Sequence, residues 1–199
     1  MAEGLPGSLQ GALSDVARWF EAAQTPAMII GGVAASVLGR PRLTQDIDAL
    51  AIMPETNWAR AIGDAASYGF VPRIDSALEF ARRSRVLLLR HSDSGINLDI
   101  ALGSLPFEEA AISRSTVHDV GGVRVRLPRV EDLLVMKAIA GRPKDLEDMR
   151  GLLAAHPQAD FAEARRWIRE FATAAGQPGM LDEFDRLLIR HNPQISDRR

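Results

Sequence analysis

The 199-residue sequence contains no cysteine. Disulfide bonds, thiolate nucleophiles and zinc sites built on thiolate ligands are therefore excluded. No apolar run approaches the ~20 residues that a membrane-spanning helix needs. The first ten residues, MAEGLPGSLQ, lack the basic segment followed by an apolar one that marks a secretory signal. Together these absences predict a cytoplasmic protein with no membrane segment.

An excess of charge of either sign is also missing. The chain has 24 basic and 26 acidic residues and a formal net charge of -2. This balance argues against a surface devoted to polyanions, although a local basic patch remains compatible with it. The four histidines show no ligand spacing, and the three tryptophans fall on apolar helix faces, so neither set predicts a site.

The pattern of apolar residues predicts an α/β (α+β) fold, with a mixed β-sheet flanked by helices and a helical C-terminal part. We expect the sheet-containing core in residues 1–128 and a helical region in 129–199. The tail at 192–199 is expected to be frayed. The predicted elements are a helix at 8–24, a strand at 26–30, a short helix at 33–39, a strand at 46–53, a helix at 58–70, a hairpin at 84–103, a strand at 123–130 and helices from 130 onward.

Three aspartates stand in apolar strand segments, where unpaired buried carboxylates are costly. Residues two apart in a strand share a face, so Asp46 and Asp48 project together. Asp99 stands opposite the apolar face of the later strand, and the three carboxylates meet if the two strands are neighbours. Like charges this close require a cation, and an oxygen-only set without histidine favours Mg²⁺ or Mn²⁺. The alternative is three aspartates that merely end strands near the surface.

Two glycines, Gly31 and Gly32, separate the first apolar strand from a short helical segment. Glycine lets the backbone approach a bound group closely, and a helix N-terminus favours phosphate. Strand-to-helix turns use glycine routinely, so the pair is a weak signal by itself. The P-loop pattern GxxxxGK[ST] is absent.

A glycine pair, a D-x-D strand and a later single aspartate together resemble the DNA polymerase β-like nucleotidyltransferase superfamily. Two longer stretches, GRPRLTQDIDALA and VEDLLVMKAIAGRPKDLEDMRGLL, are similar to the AbiEii-type members, many of which are toxins of bacterial toxin–antitoxin pairs. The Lys-Asp-x-x-Asp element of that group is matched by Lys144, Asp145 and Asp148. The resemblance covers about residues 26–155. It departs from the group at Gly32, where many members have serine, and in a long gap before Asp46.

The resemblance implies a nucleotidyltransferase fold and an enzyme that moves a nucleoside monophosphate from an NTP to an acceptor hydroxyl. It implies that Asp46, Asp48 and Asp99 are catalytic and bind Mg²⁺ (or Mn²⁺), with Asp99 helping to deprotonate the acceptor. The implied nucleotide contacts are Gly31, Gly32, Lys137, Arg142, Lys144 and Asp148.

Several of these side chains also have simpler explanations. Lys137 lies on an apolar helix and could extend to solvent. Acids near Asp145 would stabilise a helix N-terminus. Arg42 could reach either a phosphate or a surface acid.

The acceptor is less well defined than the chemistry. The AbiEii-type resemblance favours tRNA or other RNA, with a possible cognate antitoxin protein as partner, and the basic stretches 81–85, 123–130 and 140–144 could contact RNA. An antibiotic-type small-molecule acceptor is the alternative, with acidic stretches 146–149 and 180–185 as weak candidates for its pocket. A non-catalytic nucleotide-binding module is a third possibility, which the three aspartates disfavour.

Overall fold

The computed structural model describes residues 7–191. The tail at 192–199 that was expected to be frayed lies outside these residues. No helix in the described part of the chain is long and apolar enough to cross a membrane.

Seven strands and a series of helices follow one another along the described chain, together with two short 3₁₀ turns. The strands are β1 (Ala27–Ile30), β2 (Asp46–Ala51), β3 (Phe70–Pro72), β4 (Val86–His91), β5 (Asn97–Leu102), β6 (Thr116–Val120) and β7 (Val123–Leu127). The helices are α1 (Gly7–Ala22), α2 (Gly31–Leu38), α3 (Trp58–Ala65), α4 (Ala77–Ser84), α5 (Pro106–Ser113), α6 (Val130–Ala140), α7 (Pro143–Ala155), α8 (Phe161–Ala175) and α9 (Gly179–His191).

The chain divides into two compact units. Unit 1 takes in the chain up to Val33 and Leu43–Pro128, and unit 2 takes in Ala34–Arg42 and the chain from Arg129 onward. Residues 34–42 therefore group with the C-terminal helices, whereas the division predicted from the sequence placed them in the 1–128 core.

A five-stranded mixed sheet forms the centre of unit 1, in the order β1-β2-β5-β4-β3. Strands β2 and β5 are parallel, and the other pairs are antiparallel. The alternating apolar residues of β5, at Leu98, Ile100 and Leu102, are all buried, because one face of the strand packs into the core. This mixed sheet with flanking helices confirms the predicted fold class.

A second, two-stranded sheet of β6 and β7 completes unit 1. The alternation in VRVRLPRV predicted β7, and Arg124 and Arg126 lie on its solvent-exposed face. Strand β6 was not predicted. Its outward residues are polar or exposed, and only Val120 is buried, so it carries no clear periodic signal.

Unit 2 is built from the end of α2 and the helices α6 to α9. Apolar side chains of successive helices form its core, including the fully buried Leu134, Leu152, Ile168 and Phe184. Helices packed through such stripes stabilise one another far more than propensity alone does. The predicted helical C-terminal part is thus present, with Trp167 half-buried on α8.

Candidate active site

The three aspartates lie together at one end of the main sheet. In the parallel pairing of β2 with β5, Asp48 is directly opposite Asp99, and Asp46 is opposite Asn97. Neighbouring strands lie ~4.8 Å apart, so the prediction that these strands are neighbours and bring the carboxylates together is confirmed.

The carboxylates are not buried, which corrects the expectation that apolar flanking residues would enclose them. Asp46 is exposed, and Asp48 and Asp99 are half-buried. The reason is their position: Asp46 is the first residue of β2, so this end of the sheet is open to solvent while Ile47 and Ala49 enter the core on the opposite face.

The charges of the cluster act on one another. Burial raises the pKa of Asp99, the guanidinium of Arg73 opposes the rise, and the carboxylates of Asp48 and Asp46 add to it. The Asn97 side-chain amide donates a hydrogen bond to Asp46 Oδ1 at 3.1 Å. Arg73 Nη2 donates to Asp99 Oδ1. The cluster therefore holds three acids against one directly bonded cation, which leaves net negative charge at this end of the sheet.

Gly31 has a specific steric role. It is the first residue of α2, follows β1 directly and has a φ of +63°. A Cβ built there would overlap the carboxylate and Cβ of Asp48. Only glycine combines this conformation with this contact, so the predicted importance of the position has a structural reason. The glycine pair forms the start of the helix itself, and Gly32 is buried.

The kinds of ligand at this edge fit a divalent cation. Aspartate oxygens are preferred by Mg²⁺ and Mn²⁺, and the mutual repulsion at Asp99 is what such an ion relieves. As the side chains are arranged, however, no group of three or more histidine, cysteine or acidic residues in 7–191 is set to hold a metal ion.

The Lys-Asp-x-x-Asp region forms a buried ion-pair cluster within unit 2. Lys137, Asp145 and Asp148 are 3%, 0% and 7% exposed. Lys137 Nζ lies 3.1 Å from Asp145 Oδ1 and 2.7 Å from Asp148 Oδ2. Lys137 therefore does not extend to solvent, which corrects one of the two explanations offered for it.

Two arginines close the cluster, which we define as Arg42, Lys137, Arg142, Asp145 and Asp148. Arg42 binds both oxygens of Asp148, at 2.7 and 3.0 Å. Arg142 binds Asp145 Oδ2 at 2.6 Å and Oδ1 at 3.2 Å. Each acid thus has two cationic partners. The alternative that Arg42 pairs with an acid is confirmed, although that acid is buried.

The pKa of Asp145 reflects this pairing. Burial acts to raise it, but hydrogen bonds and charge from Arg142 and Lys137 outweigh burial and bring the pKa below its ordinary value. Lys144 is exposed on the first turn of α7. The predicted nucleotide contacts of Lys137, Arg142, Lys144 and Asp148 remain predictions.

Sequence reasoning missed Arg73. It follows β3, a three-residue strand too short for a period to show. A lone arginine after such a segment carries no signal. Its role appears only when the sheet brings it to Asp99.

Three arginines of the basic stretches considered for RNA contact bind groups within the protein. Arg82 pairs with Glu55 at 3.2 Å. Arg85 donates to the carbonyl of Leu102, the last residue of β5, at 2.8 Å. Arg126 donates to Ser115 Oγ at 2.8 Å.

One cavity of about 740 Å³ is lined by α1, β1 and the β6–β7 hairpin of unit 1. None of the three aspartates lines it. The three aspartates are therefore not part of this cavity.

Residues 88–182 match the model of a protein family described as "Nucleotidyl transferase of unknown function (DUF2204)". The matched segment contains Asp99 and four of the five residues of the ion-pair cluster, and it begins after Gly31, Asp46 and Asp48. No curated protein sequence matches the chain.

Several solved structures share the fold. An antigenic nucleotidyltransferase-like protein from Paracoccidioides brasiliensis is 15% identical with a TM-score of 0.53, covering 90% of this chain and 94% of its own. The antibiotic-resistance factor ANT(2'')-Ia is 14% identical with a TM-score of 0.57, covering 84% of this chain and 94% of its own. The lincosamide antibiotic adenylyltransferase LnuA is 14% identical with a TM-score of 0.55, covering 77% of this chain and 99% of its own.

The family match and the shared fold confirm two predictions: the chain has the nucleotidyltransferase fold, and it is a nucleotidyltransferase-type enzyme. Neither bears on the AbiEii-type resemblance or on a toxin role, which stay predictions.

Proposed function

We propose that the protein transfers a nucleoside monophosphate from an NTP to a hydroxyl of a small-molecule acceptor. Mg²⁺ (or Mn²⁺) would bind at the aspartate edge, which we define as Asp46, Asp48 and Asp99 at one end of the main sheet. The observation that carries this proposal is the direct opposition of Asp48 and Asp99 on parallel strands, with Gly31 packed against Asp48. The carboxylates of Asp46 and Asp48 repel that of Asp99, and such clustered like charges favour a functional role over a structural one.

The proposed reaction is an in-line displacement at the α-phosphorus. The acceptor oxygen forms a bond to the α-phosphorus, the bond to the β-phosphate bridging oxygen breaks, and pyrophosphate leaves. We assign the hydroxyl proton to Asp99, because its carboxylate lies directly opposite Asp48 on the neighbouring strand. A bound divalent cation would supply the positive charge that offsets the triphosphate.

The remaining predicted contacts fall into two groups in this proposal. The start of α2, at Gly31 and Gly32, presents backbone N–H groups suited to a phosphate. Lys144 is exposed and is placed to contact an anion, whereas Arg142 is exposed but already binds both oxygens of Asp145. Lys137 and Asp148 neutralise each other inside unit 2 and act by holding α6 against α7. We retain residues 1–128 as the proposed catalytic core and 129–199 as the proposed helical region.

A small-molecule acceptor is preferred to RNA because of how the basic stretches are used. Arg82, Arg85 and Arg126 are engaged with protein groups, and Arg85 binds at the end of β5 away from Asn97. A polyanion requires several accessible cations close to the reaction site. One solved structure of this fold, 17% identical with a TM-score of 0.55, is ANT(2'')-Ia in complex with adenylyl-2''-tobramycin, which makes antibiotic-like acceptors the first to test.

The acidic stretches do not specify the acceptor's charge. Asp148 is paired with Lys137 and Arg42, and Asp185 binds Arg165 through both oxygens at 2.7 Å. The acceptor panel should therefore include both cationic and neutral hydroxyl compounds.

The test combines purified full-length protein and Mg²⁺ with each of four α-labelled NTPs and two acceptor classes. The first class is a panel of hydroxyl-bearing small molecules, including tobramycin and lincomycin, and the second is total bacterial RNA. Asp48→Asn runs alongside, with Asp64→Asn as the matched control, since Asp64 is an exposed acid of the same unit paired with Arg60. Pyrophosphate release and the mobility of the label are both recorded.

We expect label on a small molecule in the wild type and the Asp64→Asn variant, and none with Asp48→Asn. Label on tRNA-sized RNA would overturn the small-molecule acceptor and support the RNA acceptor, and with it the search for a cognate antitoxin. NTP binding without pyrophosphate release for any acceptor would favour the binding-module alternative.

A further inference from the structure

We propose that Arg73 forms an ion pair with Asp99 in the metal-free enzyme and that a divalent cation displaces the arginine when it binds. Arg73 would then set the affinity of the site for the cation. The inference rests on the proposed function, because it takes Asp99 to be one of the cation's ligands. Arg73 is a positioning residue in this scheme, since it acts through Asp99.

The sheet itself fixes where Arg73 stands. Its backbone N–H donates to the carbonyl of Leu88 at 3.1 Å, and Leu88 is the register partner of Asp99. The arginine backbone is therefore one strand removed from Asp99, beyond β4. Its side chain must cross β4 to reach the carboxylate, and it ends beside Asp99 from the side opposite to Asp48.

The contact is one that can exchange. A single guanidinium nitrogen, Nη2, meets a single oxygen, Oδ1. The two side chains are 25% and 38% exposed, so water can replace either partner, and pairs of this kind add little to stability. Arg42 and Asp148 provide the contrast within the same chain: that contact uses both carboxylate oxygens, and the Asp148 side chain is only 4% exposed.

A divalent cation has an advantage that Arg73 lacks. Arg73 binds only Asp99 among the three aspartates. The carboxylate of Asp48, directly opposite on the neighbouring strand, still repels that of Asp99. An ion with two charges binds oxygens of more than one carboxylate at once and removes that repulsion.

The competing explanation is that Arg73 only fastens β3 to the sheet. In that case its removal would lower stability and leave cation affinity unchanged. If Arg73 instead competes with the cation for Asp99, removing its charge should raise cation affinity, because the cation no longer has to displace the arginine. Cation affinity therefore separates the two roles.

The experiment is a Mn²⁺ titration of the full-length protein without nucleotide, with free Mn²⁺ measured by electron paramagnetic resonance. Arg73→Met and Arg73→Gln remove the charge, and Arg73→Lys retains it. Arg82→Met is the matched control, because it removes the same charge from an exposed arginine–carboxylate pair of the same unit. Asp48→Asn reports whether the ion binds at the aspartate edge. Circular dichroism establishes that each variant is folded.

We expect Arg73→Met and Arg73→Gln to bind Mn²⁺ about threefold to tenfold more tightly than wild type, the scale of one partly screened charge next to a dication. Arg73→Lys should lie near wild type, Arg82→Met should be unchanged, and Asp48→Asn should lose the site. Using two neutral variants keeps the test valid if one of them fails to fold.

Unchanged or weaker Mn²⁺ binding by the neutral Arg73 variants, with binding still abolished by Asp48→Asn, would overturn the inference and leave the proposed function standing. Equal tightening by Arg82→Met would also overturn it, as a general effect of net charge. Absence of Mn²⁺ binding by wild type and all variants would overturn both the inference and the proposed metal site.

Discussion

The aspartate edge of unit 1 and the ion-pair cluster of unit 2 use the same side chain in opposite ways. At the edge, Asp46, Asp48 and Asp99 are exposed or half-buried, and the structure pairs Asp99 with an arginine. In the cluster, Asp145 and Asp148 are buried and each has two cationic partners. The pKa shifts agree: that of Asp99 is raised and that of Asp145 is lowered. The fully paired acids of the cluster stabilise the fold, whereas the acids at the edge repel one another.

The largest expected effect is on activity at the aspartate edge. Asp48→Asn should lower the rate of nucleotidyl transfer by about 10³-fold, because it removes an anionic ligand at the centre of the cluster. The free energy of unfolding should stay within ~0.5 kcal/mol of wild type, since one of three like charges is removed. Initial rates and urea unfolding at pH 7 measure the two quantities. A large fall in the free energy of unfolding would instead show that Asp48 stabilises the fold, as the acids of the cluster do.

An aspartate-to-asparagine change in the ion-pair cluster should mainly lower stability. Asp148→Asn leaves Lys137 and Arg42 short of their shared anion in a buried place, so we expect the free energy of unfolding to fall by about 3 kcal/mol. Glu147→Gln on the same helix is the matched control, because Glu147 is 72% exposed and its exposed pair should contribute under ~0.5 kcal/mol. Urea unfolding of both variants provides the measurement. Equal stability of the two would show that the cluster contributes nothing through burial.

Gly31→Ala tests the aspartate edge by changing the backbone residue that packs against Asp48. A Cβ at φ +63° is strained and overlaps Asp48, so we expect a loss of about 2 kcal/mol in the free energy of unfolding, together with a loss of activity. Gly63→Ala is the control, since a Cβ there meets nothing within 4 Å and alanine favours the helix by ~0.5–1 kcal/mol. A neutral Gly31→Ala variant would contradict the close packing of Gly31 on Asp48.

The smallest expected effect is in the acid dependence of stability. Because the folded pKa of Asp145 is lowered, its ionisation stabilises the fold above the unfolded pKa of ~3.9, and this contribution is lost as pH falls through the folded value. Between pH 5 and pH 3 the wild type should therefore lose stability more steeply than Asp145→Asn, by at most ~1.4 kcal/mol per pH unit. Urea unfolding across this range measures the slopes. Identical slopes would show that the Asp145 pairing is not coupled to folding.

The sequence predicted those elements whose signal is local. Strand periodicity placed Asp46 and Asp48 on one face of β2 and Asp99 opposite the apolar face of β5. The turn at 92–95 predicted the hairpin that pairs β4 with β5. The helices after residue 130 were predicted from their apolar spacing. These signals survive in a single sequence because the residues that create them are within a few positions of one another.

Elements with weak local patterns were missed. Helix α4 buries only two alanines, Ala77 and Ala81, which give almost no contrast between its faces. Helix α5 is two turns long, and β3 has three residues. Each depends on packing against the rest of unit 1 rather than on its own periodicity.

The sequence alone determined that Asp46 and Asp48 share one face of β2, because side-chain direction in a strand follows from position along the chain. The pairing of β2 with β5, which brings Asp99 opposite Asp48, came only from the tertiary structure. Only the tertiary structure decided which charges are paired. Arg73 and Asp99 are 26 residues apart, and Arg42 and Asp148 are 106 apart. Such pairs have no local pattern, since a charge at either position is compatible with the same helix or strand. Whether a carboxylate is buried between two cations or left open at the end of a sheet is settled by the packing of distant segments.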